Sequence, residues 1–295
     1  MKLYGGIEAG GTKIVCVIAA GPQKIVAETS FPTTTSKETI NHMVDFFRKQ
    51  METYELEGLG VGSFGPLDLH PGSSTFGYIT TTPKAGWQNM DLMGHLKKAL
   101  RMRVVIDTDV NAAALGEYMW GNGQGLDPFV YYTIGTGIGM GCRINNFLTH
   151  GLTHPESGHI LMHRDPQVDP FKGCCPYHKD CFEGLASGPA VEQRWGQKGE
   201  TLPPDHPAWD LEAHYIAQAL ANTILVLSPR RIVLGGGVMH QEQLFPLIRK
   251  KVVEMLNGYV QSPTILTDQI NDYIAPAKLG NHAGVLGAVA LAVQA

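Results

Sequence analysis

Two spacings of apolar residues alternate along this chain. "LYGGIEAGGTKIVCVIAA" is an apolar run, a glycine turn and a β-branched run, the pattern of a hairpin rather than of strand–turn–helix. "KETINHMVDFFRKQM" then places Ile40, Met43, Val44, Phe47 and Met51 on one helical face. "LEGLGVGSFGPLD" reads as a buried strand ending in a turn, "MDLMGHLKKAL" as a helix, "RVVIDTD" as a strand and "VNAAALGEYMW" as a helix. Roughly 125 residues after the opening, "PFVYYTIGTGIGMGCRINNF" repeats the hairpin-and-glycine arrangement. A helix from about Ala186, an amphipathic helix from about Asp210 to Leu227, the strand "RRIVLGGGVM" and the terminal helix "HAGVLGAVALAV" follow. Alternating strands and helices define an α/β class. The repeat suggests a duplication, with domains at residues 1–115 and 116–295 and the terminal helix free to pack back on the first.

Composition narrows the function. Charged residues are 17% of the chain, below the usual quarter or so, and the net charge is −4. No basic stripe offers itself to nucleic acid, so any phosphate-bearing ligand must be held locally. No run reaches the roughly 18 apolar residues of a membrane helix. "YIAQALANTILVLS" is interrupted by Gln218, Asn222 and Thr223 and reads as a buried helix. The opening residues carry no apolar leader, which points to a cytoplasmic, reducing location. There, cysteines serve as metal ligands or catalytic groups more often than as disulfides.

The 35 glycines in 295 residues gather at strand ends. "GGIEAGGTK" is not a P-loop, because Thr12 precedes Lys13 and a β-rich run follows; "GTGIGMG" has Met140 where the dinucleotide fingerprint needs glycine. Both still offer backbone N–H groups for an anion. Gly235-Gly236-Gly237 would admit a flat adenine or ribose. Asp109 follows the strand "VVI" and precedes a helix, so it stands where α/β proteins carry active sites, although it could also simply cap that helix. Asp107, two residues earlier, is a weaker second carboxylate. Cys175, His178 and Cys181 lie at x2 spacing, and His159 supplies a fourth ligand for a closed, structural zinc tetrahedron. Cys174 diverges from its neighbour, and His154 and His163 are reserve ligands. The alternatives are buried free thiols or a loop disulfide. An ion here would fix the loop from both ends.

Taken together, "EAGGTK", "SFGP", "DVNAAALGE", "IGTGIGMG", "HPESGH", "CFEGLASGPA" and "LGGGV" resemble the ROK family of sugar kinases and repressors, and most of all its bacterial fructokinase branch. The motifs run in family order from about residue 5 to about residue 290. The resemblance implies a duplicated actin-like (hexokinase-like) ATPase fold of two domains, with ATP in the interdomain cleft and the sugar beside its γ-phosphate. It makes Asp109 the catalytic base and gives Glu156, His159 and Glu183 to the sugar hydroxyls. Thr108 stands where the family has Asn, and Glu8 where it has Asp. Gly10, Gly11, Thr12 and Lys13 fall to the first phosphate segment, and Thr133, Thr136 and Gly137 to the second. Gly235, Gly236, Gly237 and Pro189, with Gly188, fall to the adenosine. His178 replaces a cysteine of the commoner metal motif, as in the fructokinase branch. The implied activity is ATP- and Mg2+-dependent phosphorylation of D-fructose to fructose 6-phosphate by a homodimer. The alternatives are a kinase for mannose, glucose or N-acetylmannosamine, or a sugar-sensing non-catalytic member. The repressor branch needs a DNA-binding helix-turn-helix ahead of the first glycine loop, where seven residues precede Glu8.

Overall fold

The computed structural model describes residues 2–295. The chain forms two compact units. The first contains Met1–Gly125, Gly141–Pro155 and Asn281–Ala295; the second contains Leu126–Met140 and Glu156–Gly280. The chain therefore leaves the first unit and returns to it twice, where a linear reading places one cut near residue 115.

The first unit opens with β1 (Leu3–Ala9), β2 (Lys13–Gly21) and β3 (Lys24–Pro32), followed by α1 (Ser36–Met51) and β4 (Leu56–Ser63). A small ribbon of β5 (Tyr78–Ile79) and β6 (Met90–Asp91) leads into α2 (Leu92–Leu100), β7 (Val104–Thr108) and α3 (Asp109–Trp120). The strand order is β3-β2-β1-β4-β7. The three opening strands pair antiparallel, while β1, β4 and β7 pair parallel. One face is covered by α1 and α2, whose Ile40, Met43, Phe47, Leu92 and Leu96 join Ile7, Ile18, Leu59 and Val61 in the core. Thr35 caps α1 by accepting from the Glu38 amide, and Asp91 caps α2 by accepting from Gly94.

In the second unit, β8 (Phe129–Ile134) turns into β9 (Ile138–Ile144), which carries the chain into the first unit and pairs there with β10 (Phe147–Leu148). The short α4 (Phe182–Ala186) and α5 (Gly188–Trp195) precede the long α6 (Ala208–Leu227), β11 (Arg231–Gly235) and α7 (Leu244–Leu256). Two single turns, α8 (Pro263–Leu266) and α9 (Ile270–Tyr273), lead to β12 (Ile274–Pro276). The second sheet runs β10-β9-β8-β11-β12, with β8, β11 and β12 parallel. Helix α6 packs on α7, and a 2.8 Å contact between the Tyr132 and Thr223 hydroxyls ties β8 to α6.

The final helix, α10 (Ala283–Gln294), returns to the first unit and packs on β1, β4 and α3. It comes so close that a Cβ on Gly60 of β4 would stand 1.8 Å from the Ala288 carbonyl oxygen. Only glycine permits that approach. No helix among the described residues is long and apolar enough to cross a membrane.

Three elements depart from the sequence expectations. The helix expected from Ala186 is two helices, because Pro189 has no N–H to continue α4 and the Ser187 hydroxyl instead caps α5 through the Ala190 amide. Strand β3 is half-exposed along its length and carries little apolar signal. Helix α7 places Leu244, Ile248, Val252 and Leu256 on its buried face, but Pro246 in its first turn hides that period.

Candidate functional site

In the first unit, two acids lie at sheet ends beside helix N-termini. Asp109 is the first residue of α3 and its Oδ1 accepts from the Val110 amide at 2.9 Å. The helix cap is Thr108, whose buried hydroxyl accepts from the Asn111 amide at 3.1 Å. Asp109 therefore need not cap, and stays half-buried at the end of β7. Burial raises its carboxyl to about 6. Glu8, one residue before the end of β1, accepts from the Val285 amide in the first turn of α10. Burial first, and then the charge of Asp109, push Glu8 up to about 7, against the opposing pull of Lys13 and the Val285 amide. Two carboxylates that burial disfavours as anions thus stand close enough for the charge of Asp109 to act on Glu8. An oxygen-seeking divalent ion fits this donor set, and Mg2+ usually takes only one or two protein carboxylates, with substrate phosphates and water completing its shell.

The loop Gly10–Thr12 is closed by the Gly10 amide donating to the Lys13 carbonyl at 2.9 Å. Thr33 braces it from just past the end of β3: its hydroxyl donates to the Gly10 carbonyl and its amide to that of Thr12. Gly11, Thr12 and Lys13 are exposed.

Asp107 is occupied elsewhere. Its Oδ1 accepts from the Thr108 amide at 2.7 Å and from Asn111 Nδ2 at 2.8 Å, and Oδ2 lies 2.9 Å from His150 Nε2. The hydrogen bond to Asp107 raises the His150 imidazole above its ordinary value, the sense of an ion pair. Asp107 is a scaffold that ties β7, α3 and the 149–153 loop together, with both carboxylate oxygens already hydrogen-bonded. His150 and Asn111 were not singled out from the sequence. The only trace is that Asn111 stands four residues after Asp107, one helical turn on.

In the second unit, the structure gathers His159, Cys175, His178 and Cys181, whose ligand atoms all lie within 4.8 Å of one another. His159 Nδ1 is 3.5 Å from Cys181 Sγ and 3.8 Å from Cys175 Sγ, and His178 Nδ1 is 3.8 Å from Cys175 Sγ. A tetrahedron with bonds of about 2.0–2.3 Å has edges of about 3.3–3.8 Å, so these separations fit a zinc-sized ion. Bridges from Leu161 to Cys181 and from Cys175 to Lys179 hold the ligand segments in register. Cys174 turns away, with Sγ 3.9 Å from the Ser187 hydroxyl. The reserve ligands lie elsewhere: His154 Nε2 accepts from the Leu67 amide in the first unit, and His163 is exposed and bonds through its backbone to Gln218.

The remaining glycine segments converge in this same unit. The β8–β9 turn is closed by the Gly135 amide donating to Gly137, and the Gly188 amide donates to Gly135 at 2.7 Å. Thr133 pairs with Gly235 across β8 and β11. Gly236 has φ +90°, and a Cβ there would stand 2.5 Å from the Ile134 carbonyl oxygen. Pro189 is half-buried at the start of α5, next to Gly188. Thr136 and Gly237 are exposed. Glu156 is exposed on the turn ahead of His159, whose amide donates to the Glu156 carbonyl. Glu183 Oε2 accepts from the Ile138 amide at 3.0 Å, at the exit of the β8–β9 turn.

The residue pattern that defines the ROK family matches residues 4–295. The chain belongs to the ROK family. It is 45% identical over 293 residues to a fructokinase of Pediococcus pentosaceus, covering 99% of this chain and 98% of that one. It is 42% identical over 298 residues to a fructokinase of Zymomonas mobilis, covering 100% and 97%. Among solved structures, the ROK-family glucokinase of Streptomyces griseus, in complex with glucose and AMPPNP, superposes with a TM-score of 0.79 at 25% identity over 99% of this chain and 100% of that one. The fold is thus the duplicated actin-like, hexokinase-like α/β fold of ROK sugar kinases, with mixed sheets and no closed barrel.

Within the ROK motifs, the residues missed from the sequence are scaffold residues: Thr33 behind the first loop, and Asn111 and His150 around Asp107. Their partners are 23 and 39 to 43 positions away, apart from the Asn111–Asp107 pair. Such pairings leave no local spacing to detect.

Proposed function

We propose that this ROK protein transfers the γ-phosphoryl group of ATP to D-fructose, giving fructose 6-phosphate. Asp109 carries the reading. It is a half-buried carboxylate at a strand's carboxyl end, released from capping by Thr108 and raised toward neutrality, which suits a general base. Asp109 takes the proton of the sugar's primary hydroxyl as that oxygen bonds to the γ-phosphorus and the bond to the β-phosphate oxygen breaks, releasing ADP. Near-complete coverage of fructokinase relatives at 42–48% identity supports fructose as the acceptor.

Gly10, Gly11, Thr12 and Lys13 in the first unit, and Thr133, Thr136 and Gly137 in the second, orient the phosphates; Gly235, Gly236, Gly237 and Pro189 flank the adenosine. Mg2+ would neutralise charge on the phosphates, with Glu8 beside it. Glu156, His159, Glu183 and Thr108 are assigned to the sugar side. Thr108 brings its O–H as donor, with one of its two lone pairs committed to Asn111. Zn2+ held by His159, Cys175, His178 and Cys181 is structural, because four protein ligands leave no open position. We place the enzyme in the cytoplasm as a homodimer.

The test is ADP release on fructose, mannose, glucose and N-acetylmannosamine. Fructose should show the highest kcat/KM, and Asp109→Asn should cut turnover on it by at least about 10²-fold. A higher kcat/KM for another hexose would replace the acceptor, and near-wild-type turnover of Asp109→Asn would remove the base.

A further inference from the structure

We propose that Glu183 is a positioning residue for the β8–β9 phosphate turn, and that the metal-clamped segment acts through it on nucleotide binding. This rests on the reading of that turn as a phosphate site. The resemblance gives Glu183 to the sugar, yet one of its carboxylate oxygens is spent on the Ile138 amide, the first N–H of β9. A Cβ on Gly137 would stand 2.8 Å from that same oxygen, so the carboxylate lies directly beneath the turn.

The path from the metal ligands to this contact is short and continuous. Cys181 is the residue before α4, and Glu183 is the second residue within it. Cys181 is held by its bridge to Leu161, and Phe182 donates its amide to the Ile160 carbonyl, next to the ligand His159. From the other arm of the loop, the Cys174 amide donates to Gly184. The far end of α4 reaches the same turn: Ser187 donates its amide to the Glu183 carbonyl, and Gly188 donates to Gly135. The residue before His159, Gly158, is pressed against the Ile138 carbonyl so closely that a Cβ there would stand 1.9 Å from that oxygen. The segments on both sides of the ligand cluster therefore abut Ile138, one through Glu183 and one through Gly158.

Physically, a phosphate turn works when its N–H groups point at the ligand before it arrives. The Glu183 carboxylate fixes the peptide plane between Gly137 and Ile138, and so fixes the direction of the turn. A negative charge beside a phosphate site is unfavourable in itself, so its presence here is explained by the amide it orients. A glutamine at 183 keeps the accepting oxygen without the charge; an alanine keeps neither.

The experiment measures ADP affinity by calorimetry on metal-loaded protein without sugar, together with amide hydrogen exchange at Ile138. Glu183→Ala should weaken ADP about tenfold, the size of one lost charge-assisted hydrogen bond, and speed exchange at Ile138. Glu183→Gln should hold ADP affinity within about threefold of wild type, because its amide oxygen still accepts. Cys181→Ser should speed exchange at Ile138 as Glu183→Ala does. Unchanged ADP affinity in Glu183→Ala, with only the KM for fructose raised, overturns the proposal and leaves Glu183 its sugar-side role alone. Unchanged exchange at Ile138 in Cys181→Ser overturns the link to the metal segment. Failure of the wild type to bind ADP would instead remove the nucleotide site itself, and with it the functional reading on which this role rests.

Discussion

The first unit holds Asp109 by regular structure, whereas the second holds its ligand-bearing loop by cross-links. Asp109 sits where β7 meets α3, and both are backed by buried Val104, Ile106, Ala112 and Leu115. Residues 161–180 contain no helix or named strand, and Leu161, Val168 and Tyr177 are exposed. Apolar burial cannot fix such a loop. What gathers it instead is a cluster of four side chains that could hold a metal ion, and a polar staple. In the staple, Arg194 meets Asp169 at 3.1–3.2 Å, Tyr215 donates to Asp169 at 2.7 Å, and Arg164 donates to the Asp169 carbonyl. A core-backed site should therefore tolerate loss of one contact, while a cross-linked one should fail as a unit.

The sharpest way to break this contrast is to remove the metal. If the proposed ion is bound, chelation, or Cys181→Ser, takes away binding free energy that is also folding free energy for the loop. The apparent melting temperature of the protein should fall by on the order of 10 °C. Hydrogen exchange should rise across residues 156–188 while β1, β4 and β7 stay protected, and zinc should restore the chelated protein. Equal loss of protection in both units would end the distinction.

Asp109→Asn is the corresponding test of the core-backed site. Turnover should drop by about 10²–10⁴-fold, the usual contribution of a general base. Stability should move the other way. The folded-state value of about 6 lies above the ordinary 3.8, so the native state holds that proton more tightly than the unfolded chain. The stabilisation this gives is complete below about pH 4 and is lost as pH rises through about 6. Above that, the wild type carries a desolvated charge that also strains Glu8. The amide of the variant carries none. Without ligands, the variant should melt a few °C higher than wild type at pH 8, as one or two kcal/mol implies, and equally near pH 4. In the wild type, kcat/KM should fall as pH drops below about 6.

How much of this was legible follows the same division. The β7–α3 junction could be read because local period and local chemistry agree: an apolar run, a carboxylate, then helix formers. That Cys175, His178 and Cys181 cluster with His159 could be read because x2 spacing within a turn is itself geometry. What could not be read depends on partners far along the chain. His150 reaches Asp107 across 43 positions, and Thr33 reaches Gly10 across 23. Nor does the sequence show that the hydroxyl of Thr108, which stands where the family has Asn, accepts from the Asn111 amide. Helix α7 was obscured by a proline that is harmless in a first turn.

A smaller effect separates the polar staple from the metal. Arg194→Leu leaves Asp169, one of the most deeply buried acids in the protein, without its cation. Removing one partner of a buried pair costs about 3–5 kcal/mol, which equilibrium denaturation should register. The Asp169→Asn, Arg194→Leu double variant should recover much of that loss, because Asn can still accept from Tyr215 and leaves no unpaired charge at position 169. The four proposed metal ligands are untouched, so metal content should match that of the wild type. Loss of the metal from Arg194→Leu would mean that staple and ligands are one cooperative device.

The smallest expected change is at Thr108, and it asks whether regular structure really carries Asp109. The Thr108 hydroxyl satisfies the Asn111 amide at the start of α3, and Asp109 is the residue between cap and first turn. Thr108→Ala should cost about 1 kcal/mol of stability. Thr108→Ser and Thr108→Asn should cost little, because both can cap. If the cap only terminates the helix, turnover on fructose should stay within about twofold of wild type in Thr108→Ala, since Asp107 still anchors the Thr108 amide and the Asn111 side chain. If Thr108 also donates its O–H to the sugar, the KM for fructose should rise in Thr108→Ala and stay low in Thr108→Ser, with kcat little changed in either. Only a fall in kcat in Thr108→Ala, rescued by Thr108→Ser, would show that the core alone does not hold the base in place.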